Sequence, residues 1–139
     1  MVYRCYNPKR NNYQHYGGKG IAVCERWLQN FQDFCKDLGE RGHELTLDRI
    51  DNSKNYCPEN CRWATVQEQR LNRGRFKGTK RKYKGVHRHG SGFVTTLRFN
   101  TENFYLGTFK TEIEAATAYN NKLKELLGDK CLDSYLNKF

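Results

Sequence analysis

Residues 44–65 read Glu44-Leu45-Thr46-Leu47-Asp48-Arg49-Ile50-Asp51-Asn52-Ser53-Lys54-Asn55-Tyr56-Cys57-Pro58-Glu59-Asn60-Cys61-Arg62-Trp63-Ala64-Thr65. Polar and apolar residues alternate through Leu47, the pattern of a half-buried strand. Asn52-Ser53-Lys54-Asn55 is turn chemistry, and a second short strand is expected around Cys61-Arg62-Trp63-Ala64. A helix from about Thr65 to Asn72 would complete a β-β-α unit. Upstream, Trp27, Leu28, Phe31, Phe34, Cys35 and Leu38 recur at helical spacing and Gly39 stops the pattern, so one amphipathic helix is expected over 25–38. Gly17-Gly18-Lys19-Gly20 lacks the Gly-Lys-Ser/Thr half of a phosphate loop and reads as a turn.

The second half has a different grammar. Strands are expected near 84–87, 93–99 and 103–108, separated by Gly90-Ser91-Gly92 and Asn100-Thr101-Glu102 turns. Thr111-Glu112-Ile113-Glu114 is a capping box opening a helix to Leu127, where Gly128 ends it. Ala115, Ala116 and Tyr119 are its inward positions, small enough at two of the three to let a sheet approach. Thr96 and Arg98 share one strand face opposite Leu97, and Asn103 and Tyr105 oppose Phe104 and Leu106. The expected fold class is α+β.

A chain of 139 residues has room for one domain or two very small ones. Hydrophobic residues make up only 37% while aromatics reach 14%, which implies a thin but real core and argues against disorder. The formal net charge is +10, and the stretch from Gln69 to Thr101 holds ten Lys or Arg and no acid. Such a run seeks a polyanion, so salt-dependent affinity for nucleic acid is expected, the alternative being a solvated basic tail. Arg73 and its basic neighbours over 74–82 read as a linker able to lie along a phosphate backbone.

No apolar segment approaches membrane-spanning length and no signal peptide is visible, so a soluble, reducing, cytoplasmic setting is expected, without a membrane partner. In that setting six cysteines are thiols or metal ligands before they are disulfides. Cys5, Cys24, Cys57 and Cys61 could share a structural Zn2+, with Cys57 and Cys61 spaced C-x3-C; the alternative is buried free thiols.

Leu47-Asp48-Arg49-Ile50-Asp51-Asn52, Tyr56, Pro58-Glu59-Asn60-Cys61-Arg62-Trp63-Ala64-Thr65 and the helix bearing Gln69 and Asn72 resemble the HNH, or ββα-metal, nuclease family, most closely in its phage-type version. Arg4-Cys5-Tyr6-Asn7-Pro8, Tyr16-Gly17-Gly18 and Val23-Cys24-Glu25-Arg26-Trp27 extend the likeness, which covers residues 4–73. The resemblance implies cleavage of DNA phosphodiesters with Mg2+ or Mn2+, held by Asp48 and by an amide on the helix. An ungapped count from Asn60 puts that amide on Gln69, with Asn72 the alternative one turn further on. Asn60 would brace the loop between strand and helix. The family's general-base histidine is here Arg49, which cannot release a proton, and Tyr56 would take the role if Arg49 lowered its pKa. Arg49, Arg62 and Arg70 would clamp phosphate, Arg62 being equally an ordinary ion-pair partner.

Tyr83-Lys84-Gly85-Val86, Leu106-Gly107-Thr108-Phe109, Glu114-Ala115-Ala116-Thr117-Ala118-Tyr119 and Leu136-Asn137 resemble the Apetala-two, or ethylene-response-factor type, DNA-binding domain over residues 82–137. That likeness implies a three-stranded antiparallel sheet laid in the major groove and backed by one helix. Carried over by position, Lys84, His87, His89, Thr96, Arg98, Asn103 and Tyr105 would contact double-stranded DNA. The loop Arg88-His89-Gly90-Ser91-Gly92 departs from the pattern, being one residue short and without its tryptophan.

Together the expectations describe an HNH-like nuclease module over 1–73, a basic linker over 74–82 and an Apetala-two type domain over 83–139, the plan of an HNH homing endonuclease. Two rivals stand beside it. One is a catalytically inactive DNA-binding regulator, favoured by Arg49 and Gln69. The other is an RNA-binding or assembly protein, for which stacking aromatics would have to line the strand face and Tyr105 stands alone.

Overall fold

Short polar and apolar alternation produces two small antiparallel sheets, each with helices beside it, in a mixed α+β protein. The computed structural model describes residues 1–73 and 81–139. Most of the basic linker expected over 74–82 lies outside the described residues. The chain divides into two compact units, Met1–Asn72 and Arg73–Phe139. Among the described residues, no helix is long and apolar enough to cross a membrane.

In the first unit, helix α1 (Val2–Tyr6) leads through two 3-10 turns to α2 (Glu25–Gln29) and α3 (Phe31–Leu38). The single helix expected over 25–38 is therefore two. Asn30 is the reason: it takes an extended backbone, and its side chain caps α3 by accepting from the Gln32 backbone N–H at 3.0 Å. The Gly17–Lys19 segment is a turn as expected, closing on Gly20 at φ +80°. Gly17 is required there, because a Cβ would lie 1.9 Å from the Cys5 carbonyl oxygen.

Strands β1 (Thr46–Arg49) and β2 (Cys61–Ala64) then pair antiparallel, with Asp48 opposite Arg62. Helix α4 (Val66–Asn72) follows directly, completing a β-β-α order. The core gathers Cys5, Ile21, Val23, Trp27, Phe34, Tyr56 and Cys61. Trp27 packs edge-on to Phe34 at 5.1 Å between centroids, and its indole N–H reaches Asp37 at 2.8 Å, satisfying its polar end.

The second unit is a sheet of β3 (Val86–His89), β4 (Gly92–Phe99) and β5 (Glu102–Phe109), antiparallel throughout, packed on helix α5 (Glu112–Leu127). The first strand starts later than expected because Gly85, at φ +72°, still belongs to a turn. The Thr111/Glu114 capping box forms in full. Ala115 and Ala116 are fully buried with Tyr83 and Val86, and Thr95 donates its hydroxyl to the Ala115 carbonyl at 3.0 Å. A bulge between Thr95 and Thr96 skips Leu106 on β5, so the outward-facing set shifts phase there. Gly107, at φ +116°, accommodates it.

Candidate functional site

The β-β-α segment brings one carboxylate and one amide together. Asp48 ends up 8% exposed on β1, and Asn72, 3% exposed, closes α4. The Asn72 Nδ2 donates to Asp48 Oδ2 at 3.1 Å and also to the Arg49 carbonyl. Its Oδ1 is buried and accepts no hydrogen bond. Asn52 donates to the Asn72 carbonyl at 2.8 Å, tying the end of the helix to the loop after β1. Helix α4 is aimed by a capping box that the sequence reading passed over: Thr65 accepts from the Glu68 N–H and Glu68 accepts from the Thr65 N–H. A Thr-x-x-Glu tetrad just after a strand was the signal for it.

Gln69 goes elsewhere. Its side-chain N–H donates to the Thr46 hydroxyl and carbonyl, on a more exposed edge of β1. Of the two amides left open by the sequence, Asn72 is the one beside Asp48.

Arg62 is the second partner of Asp48, directly across the strand pair. Its guanidinium lies 3.3 Å from Asp48 Oδ2, with Glu68 Oε1 at 3.9 Å on another nitrogen. The ion-pair reading of Arg62 therefore describes it better than the phosphate clamp.

Asn60 is 6% exposed and spends its whole amide on the loop: Oδ1 accepts from the Asp51 N–H at 2.8 Å, and Nδ2 donates to the Asp51 and Asn55 carbonyls. It positions the hairpin and has no donor left for a substrate.

Two expectations are corrected by burial. Tyr56 is 2% exposed, and its backbone pairs with Ala22 and Cys24, so the ring is part of the core. Burial pushes the phenol up to about 12; Arg4 and Arg49 pull the other way but do not offset it. A phenol in that state is no general base near neutral pH. Arg49 is 6% exposed, stacks between Tyr56 at 4.8 Å and Tyr16 at 5.2 Å, and donates to the Lys54 carbonyl at 2.7 Å. It props the loop and does not reach out as a phosphate clamp. Arg4 joins the same rings, 4.6 Å from Tyr16, a partner the sequence did not single out. Arg70 and Arg73 are exposed on and just after α4.

All six cysteines are free thiols, and Cys5 and Cys61 lie in the core. Among the described residues no group of three or more His, Cys, Asp or Glu is placed to hold a metal ion.

On the second unit, Thr96, Arg98, Asn103 and Tyr105 are exposed, and the register sets Thr96 opposite Tyr105 and Arg98 opposite Asn103. They form one polar patch, as alternation required. Tyr105 is 67% exposed and bonds Thr108 at 2.9 Å, a neighbour that the bulge turns to the same side. His87 meets Thr96 at 3.4 Å, while His89 is exposed toward the β3–β4 turn. Burial and then Arg81 hold the His87 imidazole below its ordinary value. Lys84 is the exception. Its ammonium donates to the Ser134 and Tyr135 carbonyls at 3.0 and 3.3 Å, tying the start of this unit to its end and not serving the strand face.

No family model, curated protein or solved structure matches the chain.

Proposed function

We infer that this protein is a DNA-binding endonuclease of the HNH, or ββα-metal, type, joined to an Apetala-two type reader of double-stranded DNA. The observation that carries the reading is that Asp48 and Asn72, one from a short strand and one from the following helix, meet in a buried hydrogen bond of 3.1 Å. The donor chemistry suits a hard divalent ion. A carboxylate and an amide oxygen are oxygen ligands, and Asn72 Oδ1 is an acceptor buried without a partner. Asp48 and Asn72 would hold Mg2+ or Mn2+, which when bound supplies neutralisation of charge on the leaving phosphate oxygen.

The chain's own residues do the rest. Arg62 balances Asp48 and has Glu68 as a second carboxylate within 3.9 Å, so it keeps a counter-charge if its hold on Asp48 loosens. Asn60 and Asn52 fix the loop and helix end that set the spacing of the pair. Exposed Arg70 and Arg73 meet the phosphate backbone, and the patch of His87, His89, Thr96, Arg98, Asn103 and Tyr105 meets base edges in the major groove.

A second reading, a DNA-bound regulator without nuclease chemistry, is favoured by one observation. The side-chain partners of Asp48 are Arg62 and Asn72, and neither accepts a proton.

Incubation with supercoiled plasmid and Mg2+ or Mn2+ separates the two. The nuclease reading expects relaxed circles that disappear with chelator and with Asp48→Ala. Because the Tyr56 phenol is buried and held near 12, Tyr56→Phe should leave the nicking rate within about twofold. Retarded DNA bands with no nicking under either metal select the regulator.

A further inference from the structure

The last residues of the second unit do more than close it. Asn137 accepts from the Lys84 backbone N–H at 2.6 Å and donates to the Lys84 carbonyl at 3.1 Å, while its own backbone is clipped to the Asn120 side chain at 2.8 and 2.9 Å. These bonds clip two chain segments together, and a cleft of about 270 Å³ lies beside the clip. Lys82, Lys84, Ser134 and Lys138 line it, and no acidic residue is among its described lining residues. The Ser134 hydroxyl is buried and has no hydrogen-bond partner.

Lys82 and Lys138 bring two further positive charges to a cleft where the Lys84 ammonium already holds the Ser134 and Tyr135 carbonyls, and burying a hydroxyl without a partner costs free energy. A tetrahedral oxyanion reverses both: it takes charge-assisted bonds from the lysines and a bond from the hydroxyl. Burial and the neighbouring Lys138 already push the Lys84 ammonium below its usual range, the strain an anion would relieve.

We propose that this cleft, bounded by Lys82, Lys84, Ser134 and Lys138, is a binding site for a phosphate group. It is built from the ends of the unit and does not involve the polar strand face. The phosphate comes either from a nucleic-acid backbone or from a free anion, and only the choice between these sources rests on the DNA-binding reading above.

The full chain, 15N-labelled, is titrated with inorganic pyrophosphate at constant ionic strength, with chloride as control. Saturable amide shifts at Lys84, Ser134 and Lys138, absent at Thr96 and Arg98 and lost in Lys138→Gln, are expected. Ser134→Ala should fold normally, since it deletes an unpartnered hydroxyl, yet weaken pyrophosphate several-fold. In a parallel arm, duplex DNA is titrated over a range of salt concentrations. If the backbone is the source, Lys138→Gln weakens every sequence alike and lowers the salt slope by about 1; an unchanged slope with saturable pyrophosphate shifts assigns the cleft to a free anion. A chain that binds no duplex sinks the DNA reading and leaves the pyrophosphate arm to decide the cleft. The proposal is overturned when pyrophosphate shifts do not saturate and Lys138→Gln leaves duplex binding and its slope unchanged.

Discussion

Asn72 is the pivotal side chain of the proposed site, because its amide donates to Asp48 where a ligand of the proposed metal would have to accept. With Nδ2 turned to Asp48, the amide steadies the carboxylate, and its oxygen is held in reserve. Replacing it with a carboxylate exposes the difference. Asn72→Asp places like charges about 3 Å apart and should lower the melting temperature of the metal-free protein. Millimolar Mg2+ or Mn2+ should then raise the melting temperature of the variant by more than that of the wild type, since a ligand binding only the folded state stabilises it by mass action. Equal curves with and without metal for both proteins would remove this pair as a cation site. The residue was visible in the sequence only as an alternative to Gln69, since an ungapped count says nothing about which helix face meets the strand. The burial of Tyr56 is hidden from the sequence for a related reason: spacing locates the residue, but only packing against Val23 and Cys61 reveals how dry its ring is.

At the scale of elements, period-2 and period-3.6 patterns marked both sheets, the long helix and its cap, and those are the parts governed by local chemistry. What the patterns did not carry was interruption. Asn30 splits a helix whose apolar spacing runs straight through it, and the bulge at Leu106 breaks the alternation of β5. The first depends on an Asn30 side-chain bond that competes with the helical ladder, and the second goes with the positive φ of Gly107. Helix α4, only seven residues long, is too short to stand on propensity and leans on its cap and its packing. Thr65→Ala should therefore cost about 1 kcal/mol. Urea unfolding followed by tryptophan fluorescence reads it cleanly, because Trp27 and Trp63 both belong to the first unit and are the only tryptophans. A midpoint indistinguishable from wild type would mean the box is ornamental.

For the molecule as a whole, each unit buries a tyrosine whose phenol is pushed up to about 12, Tyr56 in the first and Tyr119 in the second. An unfolded phenol ionises near ~10. The neutral form is thus favoured by folding, so this contribution is fully present below about pH 10 and is lost as pH rises from there toward about 12. Both units should weaken over the same alkaline window, with tyrosinate absorbance rising together with loss of ellipticity; phenols that all titrate near 10 in a chain still folded would contradict the burial. The phase break in β5 has a practical consequence for any attempt to alter the proposed contacts of this strand face with DNA. A randomised library on the outward surface has to step through 103 and 105 and then jump to 108. One that keeps counting in twos would diversify 107 and 109, and so spend its variants on the positive-φ glycine of the bulge and on the Phe109 ring that seats the helix.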